Sequence, residues 1–294
     1  MIQGKQVRQL GATGLVVSPL GLGTNRWAYG KNDEAVAQTF RVYVDTGGNF
    51  FDTAEVYGLG KSERLLGACL RQDPRPAVIA SKYMPLPLHP FKTALDGSLK
   101  RLGVPTIDLY YIHFPRGNIE QLMDQMAQAV ADGKIRAIGV SNFTAAQMQP
   151  ASARLTRYDI PLAANEVRYN LQYRQPEFNG VLDACRELNV ALVAYVPLAS
   201  GRLSSTSSSS KQGSETLQTV LTRIAHTRSK SVSQVALNWL LRRDEHIIPI
   251  PGATSARHVQ ENAEALTWEL SDEEFAAIDQ ASRPPHRNPF VSPW

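Results

Sequence analysis

Val78-Ile79-Ala80-Ser81-Lys82 and Asp108-Leu109-Tyr110-Tyr111-Ile112-His113 are two short runs rich in β-branched and aromatic residues, each stopping on a titratable side chain. Between them, Phe91 to Leu102 carries helical spacing. Strand, helix and second strand in that order make a parallel crossover unit. The unit recurs along the chain. Candidate strands end at Thr24, Ala54, Lys82, Phe114, Asn142, Arg168, Leu198 and Ala253, with helix candidates such as Glu63 to Arg71, Gln121 to Ala131 and Val232 to Leu241 between them. Leu65, Leu66, Cys69 and Leu70, spaced i, i+1, i+4, i+5, lie on one helical face. Eight such repeats predict an α/β fold, a (β/α)8 TIM barrel.

Three pieces stand outside the repeat. Val7 to Val17 holds two β-prone runs around Gly11-Ala12-Thr13-Gly14, the pattern of a hairpin, expected across the bottom of the barrel. Arg202 to Ser214 contains Ser204-Ser205-Thr206-Ser207-Ser208-Ser209-Ser210, flexible by composition, after the seventh strand. Arg283-Pro284-Pro285 ends the last helix and leaves a short tail with Phe290 and Trp294. The pattern contains no long linker, so residues 1–294 are expected to form a single barrel domain.

Composition narrows the function classes. With 43% hydrophobic and 20% charged residues, the chain has ample material for a core and is not a disordered one. No apolar run approaches the ~20 residues of a membrane helix, and Met1-Ile2-Gln3-Gly4-Lys5 has no apolar h-region, so a signal peptide is not expected. Two cysteines make no disulfide framework, so a reducing, cytoplasmic setting is expected. The six histidines show no metal-ligand spacing. Thirty-one basic against 27 acidic residues leave a net charge of +4, compatible with a phosphate-bearing ligand but no argument for nucleic acid.

Barrels of this kind build their sites at the C-terminal ends of the strands. Asp52 ends the second strand, Tyr57 follows in its loop, Lys82 ends the third, and His113 ends the fourth. Each has an ordinary explanation: an Asp there caps helices, a loop Tyr lies on a rim, a Lys is solvated, a His is structural. Four at successive strand ends suggest chemistry instead. A tyrosine with a pKa near ~10 is a poor proton donor. A lysine cation beside it favours the phenolate and lowers that value, a carboxylate holds the lysine, and a histidine donates to a carbonyl oxygen. The set would protonate a carbonyl oxygen while hydride from a nicotinamide reaches its carbon. A Schiff-base aldolase with Lys82 as nucleophile is the competing enzyme class.

Gly48-Asn49-Phe50-Phe51-Asp52-Thr53-Ala54-Glu55-Val56-Tyr57-Gly58 resembles the signature of the aldo-keto reductase family, as do Lys134-Ile135-Arg136-Ala137-Ile138-Gly139-Val140-Ser141-Asn142-Phe143 and Ile248-Pro249-Ile250-Pro251-Gly252-Ala253 followed by Glu261-Asn262. The resemblance runs from about Val7 to the final helix. It implies reduction of aldehydes or ketones with Tyr57 as acid, Lys82 tuning it, Asp52 supporting Lys82 and also near the cofactor, and His113 orienting a small-molecule carbonyl substrate. A non-catalytic NADPH-binding regulatory subunit is the family's other role.

The resemblance also implies a nicotinamide dinucleotide bound without a Rossmann fold. Gly21-Leu22-Gly23 begins like a fingerprint, but Arg26 stands where its third glycine belongs. Ser141 and Asn142 match carboxamide contacts, Tyr195 the ring that stacks on the nicotinamide, and Thr24 a position near its ribose. Pro197, Leu198, Ser200 and Gly201 match the pyrophosphate loop, and Glu261 and Asn262 the adenine contacts. Glu166 stands where many members carry Gln; an ionised Glu only accepts hydrogen bonds, yet can still take one from the carboxamide nitrogen. Gly252 and His258 replace a Lys and an Arg that grip the 2′-phosphate in animal members. The Pro-Gly-Ala form resembles the bacterial and plastid branch, which includes pyridoxal-reductase-like members. There Thr254 and Ser255 at a helix start, with Arg257 or His258, would cradle phosphate. This implies NADPH, with NADH the alternative. Trp27, Tyr29, Tyr83 and Phe114, with Phe290 and Trp294, are expected to line the substrate pocket.

Overall fold

A computed structural model describes residues 7–30, 32–203 and 216–283. The serine run and the tail with Phe290 and Trp294 lie outside the described residues. Two strands, β1 (Arg8–Gln9) and β2 (Val16–Val17), form the antiparallel hairpin. Eight parallel strands follow: β3 (Leu22–Gly23), β4 (Phe50–Asp52), β5 (Val78–Tyr83), β6 (Ile107–Ile112), β7 (Ile135–Ser141), β8 (Leu162–Arg168), β9 (Ala191–Tyr195) and β10 (Ile247–Ile250). The sheet closes where Gly21 N–H donates to Pro249 O at 2.9 Å and Gly23 pairs with Gly252. The predicted (β/α)8 barrel is therefore present, each strand ending within three residues of its expected place.

Helices α1 (Asp33–Asp45), α2 (Lys61–Gln72), α3 (Phe91–Leu102), α4 (Ile119–Ala131), α5 (Ala145–Thr156), α6 (Gln175–Phe178), α7 (Val181–Glu187), α8 (Leu217–Arg228), α9 (Val232–Arg243), α10 (Ala256–Ala263) and α11 (Asp272–Ser282) surround it. Several start on side-chain caps: Asn32, Asn118, Ser231 and Ser271 each accept a backbone N–H of the first turn.

Strand parity separates two cores. Alternate side chains point into the barrel or out toward the helices. Phe50, Val78, Ala80, Leu109, Tyr111, Val193 and Ile248 fill the inside. Phe51 faces out and stacks on Phe40 of α1, centroids 4.8 Å apart. The hairpin supplies Leu10, Leu15 and Val17 to the inner core. Gly11, at φ 55, lies where an added Cβ would meet the carbonyl oxygens of Asn189, Ala163 and Leu162 within 3.0 Å, so the turn closes the strands' N-terminal end. With that end filled, the opposite mouth remains for a site.

Leu10→Ala should cost about 2–5 kcal/mol of stability, the range for truncating a buried leucine. Val7→Ala, on a residue 60% exposed, should stay within about 0.5 kcal/mol. Urea denaturation of both variants measures the difference; equal small effects would refute the hairpin's part in the core.

Candidate active site

The same parity sends Asp52 (β4), Lys82 (β5) and Glu166 (β8) inward at the C-terminal mouth, while their neighbours turn out. Ser81 donates to Glu63 Oε1 on α2 at 2.6 Å, and Asn165 Nδ2 donates to Phe143 O at 2.9 Å. Lys82 is fully buried. Its Nζ donates to Asp52 Oδ1 at 2.6 Å, Asp52 Oδ2 at 2.7 Å and Thr53 O at 2.9 Å. The Tyr57 hydroxyl lies 3.4 Å from the same nitrogen and Glu166 Oε2 3.2 Å. Burial pushes the ammonium's pKa down, but Asp52, Glu166 and Tyr57 together outweigh it, and the net direction is up. Lys82 thus stays charged and does not line the cavity, which removes the amine nucleophile that the aldolase alternative needs.

Tyr57 corrects an expectation. Its pKa is raised, not lowered: burial is the largest influence, and Asp52 and Glu166 add to it against the pull of Lys82. The residue is a neutral phenol with an O–H to give. His113 follows β6 with its ring nearly perpendicular to that of Tyr57, centroids 6.1 Å apart, and stacks on Phe114 at 4.9 Å. Burial, helped by the Lys82 charge, lowers its pKa from 6.5 to about 3, so the imidazole is neutral. Its Nδ1 is buried without a hydrogen-bond partner.

These groups open onto a cavity of about 890 Å³ that runs from Tyr57 and His113 to α10. Asp52, Ser141, Asn142, Glu166, Tyr195, Pro197, Leu198, Ser200, Gly201, Gly252, Thr254, His258, Glu261 and Asn262 line it, as do Phe114 and Arg257. Asn142 Nδ2 donates to His113 O at 3.1 Å, and Asn142 Oδ1 accepts from the Tyr195 hydroxyl at 3.0 Å, so the two ends of the mouth are cross-tied. The wall is strained where it is most irregular: Asn142 (φ 63), Val196 (φ 52), Ala199 (φ 50) and Ser200 (φ 58) all adopt left-handed backbone. For a β-branched residue such as Val196 this is an outlier, and Asn170 Nδ2 secures it by donating to Val196 O at 3.0 Å.

Besides Lys82, five expected positions do not line the cavity. Tyr83 is one residue past Lys82, so parity turns it outward; its hydroxyl donates to His89 O at 2.7 Å and its ring meets Phe91 edge-on. Trp27 is buried and its Nε1–H donates to Ala253 O at 2.9 Å, pinning the first loop to the last. Tyr29 is 69% exposed on the outer rim. Thr24 is buried and donates to Asp52 O at 2.8 Å, beneath the mouth rather than in it. Ser255 caps α10, its hydroxyl accepting from His258 N–H at 3.4 Å. Of the predicted aromatic lining within the described residues, only Phe114 remains.

Gly23, Asn25, Val196, Ser233, Ile250 and Pro251 also line the cavity without having been expected there, and Arg26, noticed only as a break in a glycine motif, joins them. Closure of β3 against β10 brings the first loop beside Gly252, and barrel order alone carries that signal. Among the described residues, Arg26 and Arg257 line the cavity with no ion-pair partner.

A model of the Aldo/keto reductase family matches residues 19–283. A chloroplastic pyridoxal reductase of Arabidopsis thaliana is 31% identical, over 92% of this chain and 84% of its own length. A 6-dehydroglucose reductase of Novosphingobium aromaticivorans is 32% identical over 94% and 95%. A crystal structure of an aldo/keto reductase from Klebsiella pneumoniae with NADP and acetate superposes with a TM-score of 0.83 at 30% identity, covering 97% of this chain and 98% of that one.

Because His113 is neutral when folded and takes a proton near 6.5 when unfolded, its contribution to stability is full above that value. It is lost as pH falls toward 3. Urea denaturation between about pH 4 and 7 should show the chain losing more stability on acidification than its His113→Gln variant. Parallel pH curves would place the histidine's pKa in the ordinary range.

Proposed function

Since the chain belongs to the aldo/keto reductase family, we propose that it reduces the carbonyl group of small aldehydes or ketones with NADPH. The observation that carries the reading is the neutral Tyr57 hydroxyl facing the cavity beside His113, with the Lys82 ammonium 3.4 Å behind it.

The residues present fit a nicotinamide dinucleotide. The cavity of about 890 Å³ has hydroxyl and amide groups at the Tyr57 end and Arg26 and Arg257, without ion-pair partners among the described residues, with His258, along it toward α10. Ser141 and Asn142 would hold the carboxamide. Asn142 Oδ1 spends one lone pair on Tyr195 and keeps the other. Ser200 and Gly201 would hold the pyrophosphate. Thr254, Arg257 and His258 would hold the 2′-phosphate, and Glu261 and Asn262 the adenine. When bound, the reduced nicotinamide supplies the hydride that reaches the carbonyl carbon.

The chain's own part is the proton. His113 donates a hydrogen bond to the carbonyl oxygen and holds it beside Tyr57. As charge builds on that oxygen, Tyr57 gives up its proton to it. The phenolate left behind faces the Lys82 ammonium, which Asp52 keeps in place, and takes a proton back from solvent once the alcohol leaves. Phe114, Val196 and Leu198 lend the mouth apolar walls suited to aldehydes with apolar or ring-bearing groups.

Tyr57→Phe should lower kcat by about 10²–10⁴-fold, the range of one positioned acid. NADPH binding, followed by quenching of tryptophan fluorescence, should persist. Pyridoxal, the aldehyde in the Arabidopsis relative's name, belongs in the panel with aromatic aldehydes. Binding without turnover across the panel would replace the reductase reading with a nucleotide-sensing one.

NADPH should bind at least about tenfold tighter than NADH, and Arg257→Ala should remove most of that preference, since a charge-assisted contact contributes about 1.5–3 kcal/mol. Equal affinities for the two cofactors would exclude Thr254, Arg257 and His258 as phosphate ligands.

A further inference from the structure

Glu166 makes the Lys82 site unlike a simple lysine–aspartate pair. An ammonium has three protons to give. The three shortest contacts of Lys82, at 2.6, 2.7 and 2.9 Å, go to the two Asp52 oxygens and Thr53 O. Glu166 Oε2, at 3.2 Å, has the ammonium's charge nearby but no hydrogen bond of its own, and it is buried. One lysine charge already balances one carboxylate. A second ionised carboxyl in the same dry floor would be an uncompensated buried charge without a donor, which is costly. Two carboxyls sharing such a site hold a proton between them, and one of the pair titrates far above its ordinary value.

The side chain that keeps the proton is identifiable. Asp52 receives both short lysine contacts and is satisfied as a carboxylate. Glu166 instead meets the same ammonium only at 3.2 Å, its Oε2 buried without a hydrogen bond, and it borders the cavity. We propose that Glu166 is a neutral carboxylic acid at physiological pH, its O–H directed at Asp52 and its carbonyl oxygen at the cavity. In that form it offers one donor and one acceptor, as a side-chain amide would. It is a positioning residue: it holds Asp52 and Lys82 from behind and turns an acceptor toward the nicotinamide carboxamide. Burial first, then the Asp52 charge, pushes its pKa well up, against the pull of Lys82. The other titratable and charged groups around it are Tyr57 in the β4 loop, Tyr111 of β6, His113 after β6, Tyr195 of β9 and Arg168 on its own strand. Tyr111 and Tyr195 are themselves raised by burial and stay neutral, and His113 is neutral. None of these three supplies a second positive charge, and the Arg168 guanidinium lies over the Tyr173 ring, 4.8 Å from its centroid, not on Glu166.

The half of this inference that concerns the carboxamide rests on the reductase reading; the protonation half does not. Infrared spectra of the cofactor-free protein at neutral pH, recorded as chain minus Glu166→Gln, should show loss of a carboxylic acid C=O band. Glu55→Gln, which removes a buried carboxyl that accepts from Met84 N–H at 2.7 Å and contacts His89 Nε2 at 3.0 Å, should leave that band in place. Should Glu166→Gln fail to fold, the unsubstituted protein made with ¹³C-labelled glutamate should shift the same band. A difference confined to carboxylate bands, or an acid band that shifts with labelled aspartate instead, overturns the proposal. The NADPH Kd should change across the pH range in which Glu166 ionises, since ionisation sets a second charge beside Asp52 at the carboxamide contact, and Glu166→Gln should be flat over that range. A pH response identical in both proteins overturns the carboxamide half. Absence of NADPH binding in both overturns the reductase reading and leaves the infrared result standing.

Discussion

An ammonium with no access to water needs anions and carbonyls arranged around it before it can be buried, and Lys82 imposes that requirement on half the barrel. Its partners come from β4, from the loop after β4 and from β8. They converge only if the eight strands hold register and the sheet closes between β3 and β10. Removing a partner would strand a charge in a low-dielectric interior, so the site and the closed barrel are mutually dependent.

The same burial sets the chemistry. Dehydration raises Tyr57 and lowers His113, so both are uncharged and can donate hydrogen bonds. In the proposed reaction Lys82 would act on Tyr57 through the phenolate it stabilises, not by ionising the resting tyrosine. That distinction separates a proton donor waiting for a developing alkoxide from a free base. The strained wall from Val196 to Ser200 and the cross-tie from Tyr195 through Asn142 to His113 O hold the opposite rim in place.

Asp52, Lys82 and His113 were legible because each ends an apolar run, and barrel geometry makes strand ends converge. Tyr83, expected in the pocket, instead follows Lys82, and the same period-two alternation assigns it to the helix side. Trp27 and Thr24 were not legible as core, since their partners, Ala253 O and Asp52 O, lie 226 and 28 residues away. Arg26 and Asn25 entered the cavity wall through closure of the sheet, which joins the first and last strands.

By itself the sequence determined the alternation of strands and helices, hence the barrel, and that Asp52, Lys82 and His113 stand at strand ends, because both follow from local periodicity and strand parity. Only the tertiary structure decided their states of charge. Whether Tyr57 is a phenol, Lys82 a cation and Glu166 a partner of that cation depends on burial and on distances of about 3 Å between residues far apart in the chain. Desolvation and pairwise charge are properties of that packed neighbourhood, and no local pattern of residues encodes their sum.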